Sequence, residues 1–131
     1  MLDQYPKEVK LVHKDFPIPS HRYSKQASIA ALAAGEQKKY WEYHEKIFQN
    51  MSTLNTEKFL EIAKDLGLDM DSFKKSLSDP KHEQHIQKDI QEAMNAGLQG
   101  TPTIYVNGRV LNNRTLEGFK FMIDDLLKKK K

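Results

Sequence analysis

The sequence predicts an α/β protein: a short β segment near the start, a long helical block, a β-hairpin and a closing helix. Three observations predict it. Val9, Leu11, Val12 and Phe16 crowd a short stretch bounded by prolines. That is the composition of a strand buried on both faces. From about Ser20 to Gly97, apolar residues recur at helical spacing. The period then changes at Thr103-Ile104-Tyr105-Val106, and Asn107-Gly108 follows, the preferred pair for a two-residue hairpin turn. β segments on both sides of a helical block mean that the helices are inserted into, or packed against, a sheet.

Each element follows from local chemistry. The stretch Val9 to Phe16 is preceded by Pro6 and ended by Pro17 and Pro19, because proline cannot donate to a ladder. Ser24 to Ala34 is alanine-rich and stops at Gly35, a residue suited to the left-handed position after a helix. Glu36 to Gln49 places Tyr40, His44 and Ile47 on one stripe with Trp41 and Phe48 beside it, a wide apolar face. Thr56 can cap a third helix through Phe59, Leu60, Ile62, Ala63 and Leu66, closed by Gly67. Asp71 to Leu77 is a short fourth piece. Asp79-Pro80 pairs a capping carboxylate with proline at the first helical position. The helix it opens carries Ile86, Ile90, Ala93 and Met94, and Gly97 closes it. Arg109-Val110-Leu111 forms the return strand of the hairpin. Leu116 to Leu127 reads as an amphipathic helix through Leu116, Phe119 and Ile123.

Composition narrows the function classes. The chain has 131 residues, 38% of them hydrophobic and 30% charged, which fits a globular domain. No apolar run approaches the 18 or so residues of a membrane span. The opening MLDQYPKEVK has neither the basic start nor the apolar stretch of a secretory signal. Four lysines at 128–131 outweigh the whole net charge of +3, so the basic balance is a tail effect. No basic stripe interleaved with aromatics occurs elsewhere, and no nucleic-acid or membrane partner is expected. With no cysteine at all, disulfides, thiolate metal sites and a cysteine nucleophile are excluded.

The stretch Gly100-Thr101-Pro102-Thr103-Ile104-Tyr105-Val106-Asn107-Gly108 resembles the cis-proline loop and hairpin of DsbA-like thiol-disulfide oxidoreductases of the thioredoxin superfamily. Tyr5 to Pro17 looks like that family's second core strand, and Ser24 to Gly97 like its inserted helical domain. The resemblance covers nearly the whole chain in the family's order. It implies an incomplete thioredoxin-like sheet (strand, hairpin, C-terminal helix) formed by 1–19 and 98–131, with 20–97 as the inserted helical domain. It also implies that Pro102 is cis and that the Thr101 backbone pairs with an extended peptide or protein substrate by strand addition. Thr101 and Pro102 are therefore the candidate substrate-binding residues.

The resemblance also implies a loss. In the family a first strand, a Cys-x-x-Cys pair and a helix precede the segment matching Tyr5 to Phe16. Here only Met1 to Gln4 precede it. Thiol-disulfide exchange needs an attacking thiolate, so no catalytic residue is expected in the chain as written, and no cofactor. The absent strand would lie between Val9–Phe16 and Thr103–Val106. Uncovering about five apolar side chains would cost on the order of 10 kcal/mol, as much as a domain's whole stability. The expected remedy is a homo-oligomer that exchanges strands, or two sheet parts that close on each other.

Two explanations of the start differ in consequence. A full-length parent beginning earlier would be a periplasmic or otherwise extracytoplasmic oxidoreductase. A genuine Met1 leaves a protein that acts through binding. The alternative class is a non-enzymatic interaction module whose open sheet recruits a partner strand or a second copy. A third reading is a relative of glutathione-dependent isomerases, whose site also depends on the missing start.

Other candidates have blander explanations. His82, His85 and Asp89 have metal-ligand spacing on one helix. However, Lys81, Glu83, Gln84, Gln87 and Lys88 surround them, so the expectation is a solvated polar face and no metal. His44 could be a general base, but it lacks an identifiable serine or carboxylate partner and reads as a partly buried histidine. Tyr40, Trp41 and Tyr43 read as core. Asp15-Phe16-Pro17-Ile18-Pro19 reads as a strand terminator, not a proline-rich ligand. Gly97, Gly100 and Gly108 are too dispersed to cradle a phosphate.

Overall fold

The computed structural model describes residues 1–130. Contacts divide the chain into two units, one formed by 14–95 and the other by 1–13 with the chain from 96 onward.

The first unit is helical. It holds α1 (Ser24–Gly35), α2 (Tyr40–Gln49), α3 (Thr56–Asp65), α4 (Met70–Leu77) and α5 (Pro80–Asn95). Helix α1 packs against each of the other four. Its sequence explains why: Ala30, Ala31, Ala33 and Ala34 are all buried, and small side chains let neighbouring helices approach closely. Around this axis Tyr43, Ile47, Phe59, Ile62, Ala63, Leu68 and Phe73 complete one core. The Tyr43 and Phe73 rings meet at 5.7 Å. The buried Tyr43 hydroxyl donates to the Phe59 carbonyl at 2.7 Å, so its polar end is satisfied.

The helix boundaries follow capping chemistry. Asn55 Oδ1 accepts from the Lys58 N–H at 2.7 Å. The cap of α3 is therefore Asn55, and Thr56, expected in that role, is the first helical residue. Asp69 Oδ1 accepts from the Ser72 N–H at 2.9 Å and opens α4. Asp79 Oδ1 accepts from the Lys81 N–H at 3.0 Å. The bend after α3 uses Gly67 at φ +73. Residues expected to start α2 at Glu36 instead form a turn, in which Lys38 adopts φ 62 and the Lys39 N–H donates to the Ala34 carbonyl at 3.0 Å.

The second unit contains the only sheet among the described residues. β1 (Tyr105–Val106) pairs antiparallel with β2 (Arg109–Val110), Tyr105 facing Val110 and Val106 facing Arg109. Asn107 and Gly108 have φ of 47 and 79, the two positive values a type I′ turn requires. The Leu111 N–H to Ile104 carbonyl bond, 2.8 Å, extends the hairpin. Helix α6 (Leu116–Lys130) begins where Thr115 Oγ1 accepts from the Gly118 N–H at 3.1 Å. Leu111, Ile123 and Tyr5 are buried in this unit, and the Tyr5 hydroxyl donates to Asp124 Oδ1 at 2.8 Å.

The strand expected at Val9 to Phe16 is not formed, and this corrects the sequence reading within the predicted fold class. The segment is irregular, Leu11 is exposed, and Val12 is 63% exposed. β-formers hold an extended ladder only against a neighbouring strand, and the two-stranded sheet has none beside this segment. Trp41 and Phe48 also depart from expectation. Tyr43 and Ile47 take the core side of α2, while Trp41 is 47% exposed and Phe48 more so. Neighbouring residues on a helix are about 100° apart, so α2 can bury only part of so wide an apolar arc.

Candidate functional site

The candidate site is the loop that leads into β1. Gly100, Thr101 and Pro102 are exposed, and the Thr101–Pro102 peptide bond is cis. Two side chains brace the loop. Thr103 Oγ1 donates to the Gly100 carbonyl at 2.5 Å, and Arg114 Nη1 donates to the Pro102 carbonyl at 2.7 Å. Between them, the Thr101 backbone N–H and C=O have no hydrogen-bond partner among the described residues. β1 is paired on one edge only. A free donor and acceptor leading into an unpaired strand edge is an arrangement that an extended chain can pair with. No thiol accompanies it, since the sequence has no cysteine.

Arg114 was missed in the sequence. Its target is a backbone carbonyl twelve residues away, which no side-chain pattern announces.

The structure separates the three residues read as a polar helix face. His82 and Asp89 are buried, with Ile86 between them on the same stripe, so the solvated-face reading holds only for His85. Ser76 Oγ donates to Glu36 Oε2 at 2.6 Å and lies 2.8 Å from His82 Nε2. A serine has one proton. With that proton on Glu36, His82 Nε2–H is the donor to Ser76. This is the reverse of what a nucleophilic serine needs, because its histidine must accept. The cluster is a buried joint between α4 and α5, not a hydrolytic site. Lys81 closes it with an ion pair to Glu36.

This joint has a pH signature. Burial lowers the His82 pKa, opposed by the Glu36 charge, with smaller contributions from Lys81, Asp79 and His85. A depressed histidine pKa means that stability is intact above the unfolded value of about 6.5 and is lost as pH falls from there through the folded value. One such proton changes stability by at most about 1.4 kcal/mol per pH unit. A His82→Gln variant cannot titrate, so its urea midpoint should fall less steeply than the parent's between pH about 6.5 and 5. Parallel profiles would rule out His82 as the acid-sensitive group.

His44 is partly buried, with its ring 4.8 Å from Phe48 and 5.7 Å from Trp41. The Tyr40 ring, 5.8 Å away, completes an aromatic setting. In the lysine tail, Lys129 Nζ is 2.8 Å from Asp125 Oδ2, and Lys131 lies outside the described residues.

Comparison with known proteins is consistent across sequence and structure. Residues 2–125 match a family model described as thioredoxin. The chain is 30% identical over 135 residues to a probable disulfide bond formation protein D of Bacillus anthracis, covering 93% of this chain and 59% of that protein. It is 35% identical over 102 residues to the Na(+)/H(+) antiporter NhaA 3 of Salinispora tropica, covering 77% of this chain and 16% of that protein. The chain thus spans about three fifths of the first relative and under a fifth of the second. The crystal structure of the thiol-disulfide exchange protein alpha-DsbA2 from Wolbachia pipientis superposes with a TM-score of 0.76 at 27% identity, covering 86% of this chain and 63% of that one.

Proposed function

The chain belongs to the DsbA-like thioredoxin superfamily, and on that premise we propose that it binds extended polypeptide at Thr101 and Pro102 without carrying out thiol-disulfide exchange itself. The observation that carries this reading is the unpartnered, exposed Thr101 backbone leading into the free edge of β1. The chemistry argument is separate. Exchange proceeds through a mixed disulfide, and this sequence contains no sulfur nucleophile of that kind. The setting that suits the family is extracytoplasmic.

Two measurements test the two halves. In a dithiothreitol-driven insulin assay the chain should leave the reduction rate at the uncatalysed level, and turnover would refute the inactive reading. Amide hydrogen exchange with an unfolded, thiol-blocked polypeptide should show new protection confined to Gly100–Val106. Protection elsewhere, or none at saturating polypeptide, would refute the binding reading.

A second reading has its own support. Leu11, Val12, Tyr105, Val110, Leu116 and Phe121 are all exposed in the unit that carries the hairpin, an apolar load suited to strand exchange with a second copy. Light scattering decides: a mass above 15.2 kDa that persists on dilution favours self-association, and a stable monomer removes it.

A further inference from the structure

We propose that Asn107 is a site of spontaneous deamidation and isoaspartate formation, gated by the opening of the hairpin it turns. Asn107 is the one asparagine in the sequence followed by glycine; Asn50, Asn55, Asn95, Asn112 and Asn113 precede residues with side chains. A following Cβ crowds the backbone nitrogen that must attack, and Gly108 has none. The space beside the Gly108 Cα is open as well, with no atom within 4 Å of where a Cβ would stand.

The surroundings of the amide single out the same residue. The side chains of Asn50, Asn55, Asn95 and Asn113 are held in hydrogen bonds. Asn107 is exposed, and neither its side chain nor the Gly108 N–H has a hydrogen-bond partner among the described residues. Both reacting groups therefore face water.

The reaction needs water alone. The Gly108 nitrogen, its proton lost to solvent, bonds to Asn107 Cγ; the Cγ–Nδ2 bond breaks and ammonia leaves, giving a five-membered imide. Water then adds at one of the two imide carbonyls. Addition at Cγ breaks the new C–N bond and yields aspartate. Addition at the Asn107 main-chain carbonyl breaks the original peptide bond and leaves the chain running through Cγ, as isoaspartate. Nothing is oxidised or reduced.

The turn restrains the first step. Ring closure needs Asn107 Cβ and the Gly108 nitrogen eclipsed about the Cα–C bond. A type I′ turn sets ψ of its first central residue at about +30°, which puts those two atoms almost opposite. The hairpin must open, and few bonds resist: β1 and β2 are two residues each, and a two-stranded hairpin is marginally stable. Aspartate keeps the turn, since Asp-Gly suits it as well. Isoaspartate lengthens the main chain by one carbon in a two-residue loop, so the pairing of Tyr105 with Val110 and of Val106 with Arg109 is lost.

The test is incubation of the full chain in mildly alkaline buffer at physiological temperature, followed by peptide mapping and isoaspartyl methyltransferase labelling. Conversion is expected at Asn107 at least about tenfold faster than at any other asparagine, because glycine alone lacks a Cβ. Unfolding the chain in urea should speed it, since the turn no longer restrains ψ. In the aged protein the Leu111 N–H, which donates to the Ile104 carbonyl, should exchange faster. Asn107→Gly keeps a turn-forming pair and has no side-chain amide, so the same incubation should leave its Leu111 exchange unchanged. No conversion at Asn107, or faster conversion at another asparagine, would overturn the proposal. A folded rate equal to the rate in urea would overturn the gating by the turn.

Discussion

Phe73→Ala is expected to cost about 3–5 kcal/mol, the usual toll of removing a fully buried phenylalanine. Phe73 is 0% exposed and its ring packs on Tyr43, whose hydroxyl is already committed to the Phe59 carbonyl. Tyr43 cannot swing into the space without giving up that bond, so the cavity stays largely open. The alanine-rich face of α1 cannot fill it either, because methyl groups have no reach. The loss is a large part of a typical domain stability of 5–15 kcal/mol and should lower the thermal midpoint by roughly 10–20 °C. Urea unfolding checks it, with Phe121→Ala as reference. Phe121 is 80% exposed, so its truncation should fall within about 0.5 kcal/mol of the parent. A Phe73→Ala loss under about 1 kcal/mol would mean that the core is not packed as described.

Gly118→Ala should be the most damaging single-methyl change. A Cβ at Gly118 would lie 2.0 Å from the Asn113 carbonyl oxygen and 2.9 Å from its carbonyl carbon. The obstacle is backbone, so no side-chain rotation relieves it, and the 112–115 segment must move. That segment carries the cap of α6: Asn113 Oδ1 accepts from the Thr115 hydroxyl at 2.7 Å, and Thr115 Oγ1 accepts from the Gly118 N–H. It also carries Arg114, which holds the Pro102 carbonyl. The expected cost is about 2–3 kcal/mol from overpacking and a weakened cap. Hydrogen exchange should show faster opening at the start of α6 and in the Gly100–Thr103 loop. A variant as stable as the parent would show that the tight approach of Gly118 to Asn113 is not maintained.

Local chemistry made much of this protein legible in advance. Gly67 and Gly97 take positive φ after α3 and α5, Asp79 opens α5 and Asn107-Gly108 form a type I′ pair, as the sequence predicts, while the caps Asn55 and Asp69 stand one and two residues ahead of the starts it predicts at Thr56 and Asp71. Each is a decision taken within three or four residues, so the sequence carries it. The resemblance at Gly100–Gly108 pointed to the loop now seen as exposed and braced. What failed was whatever depends on a distant neighbour. Val9 to Phe16 has strand composition, but a ladder needs a second strand. Lys81 to Lys88 looked like a polar face until tertiary packing turned His82 toward Ser76 and Asp89 toward Asp15.

By itself, then, the order of residues determined the succession of helices and hairpin, the turn geometry of the hairpin and the absence of cysteine. Only the tertiary structure decided which polar groups are buried and that Arg114 braces Pro102. The physical reason is range: caps and turns are satisfied by bonds to adjacent residues, whereas burying a polar group requires a partner that folding alone brings near.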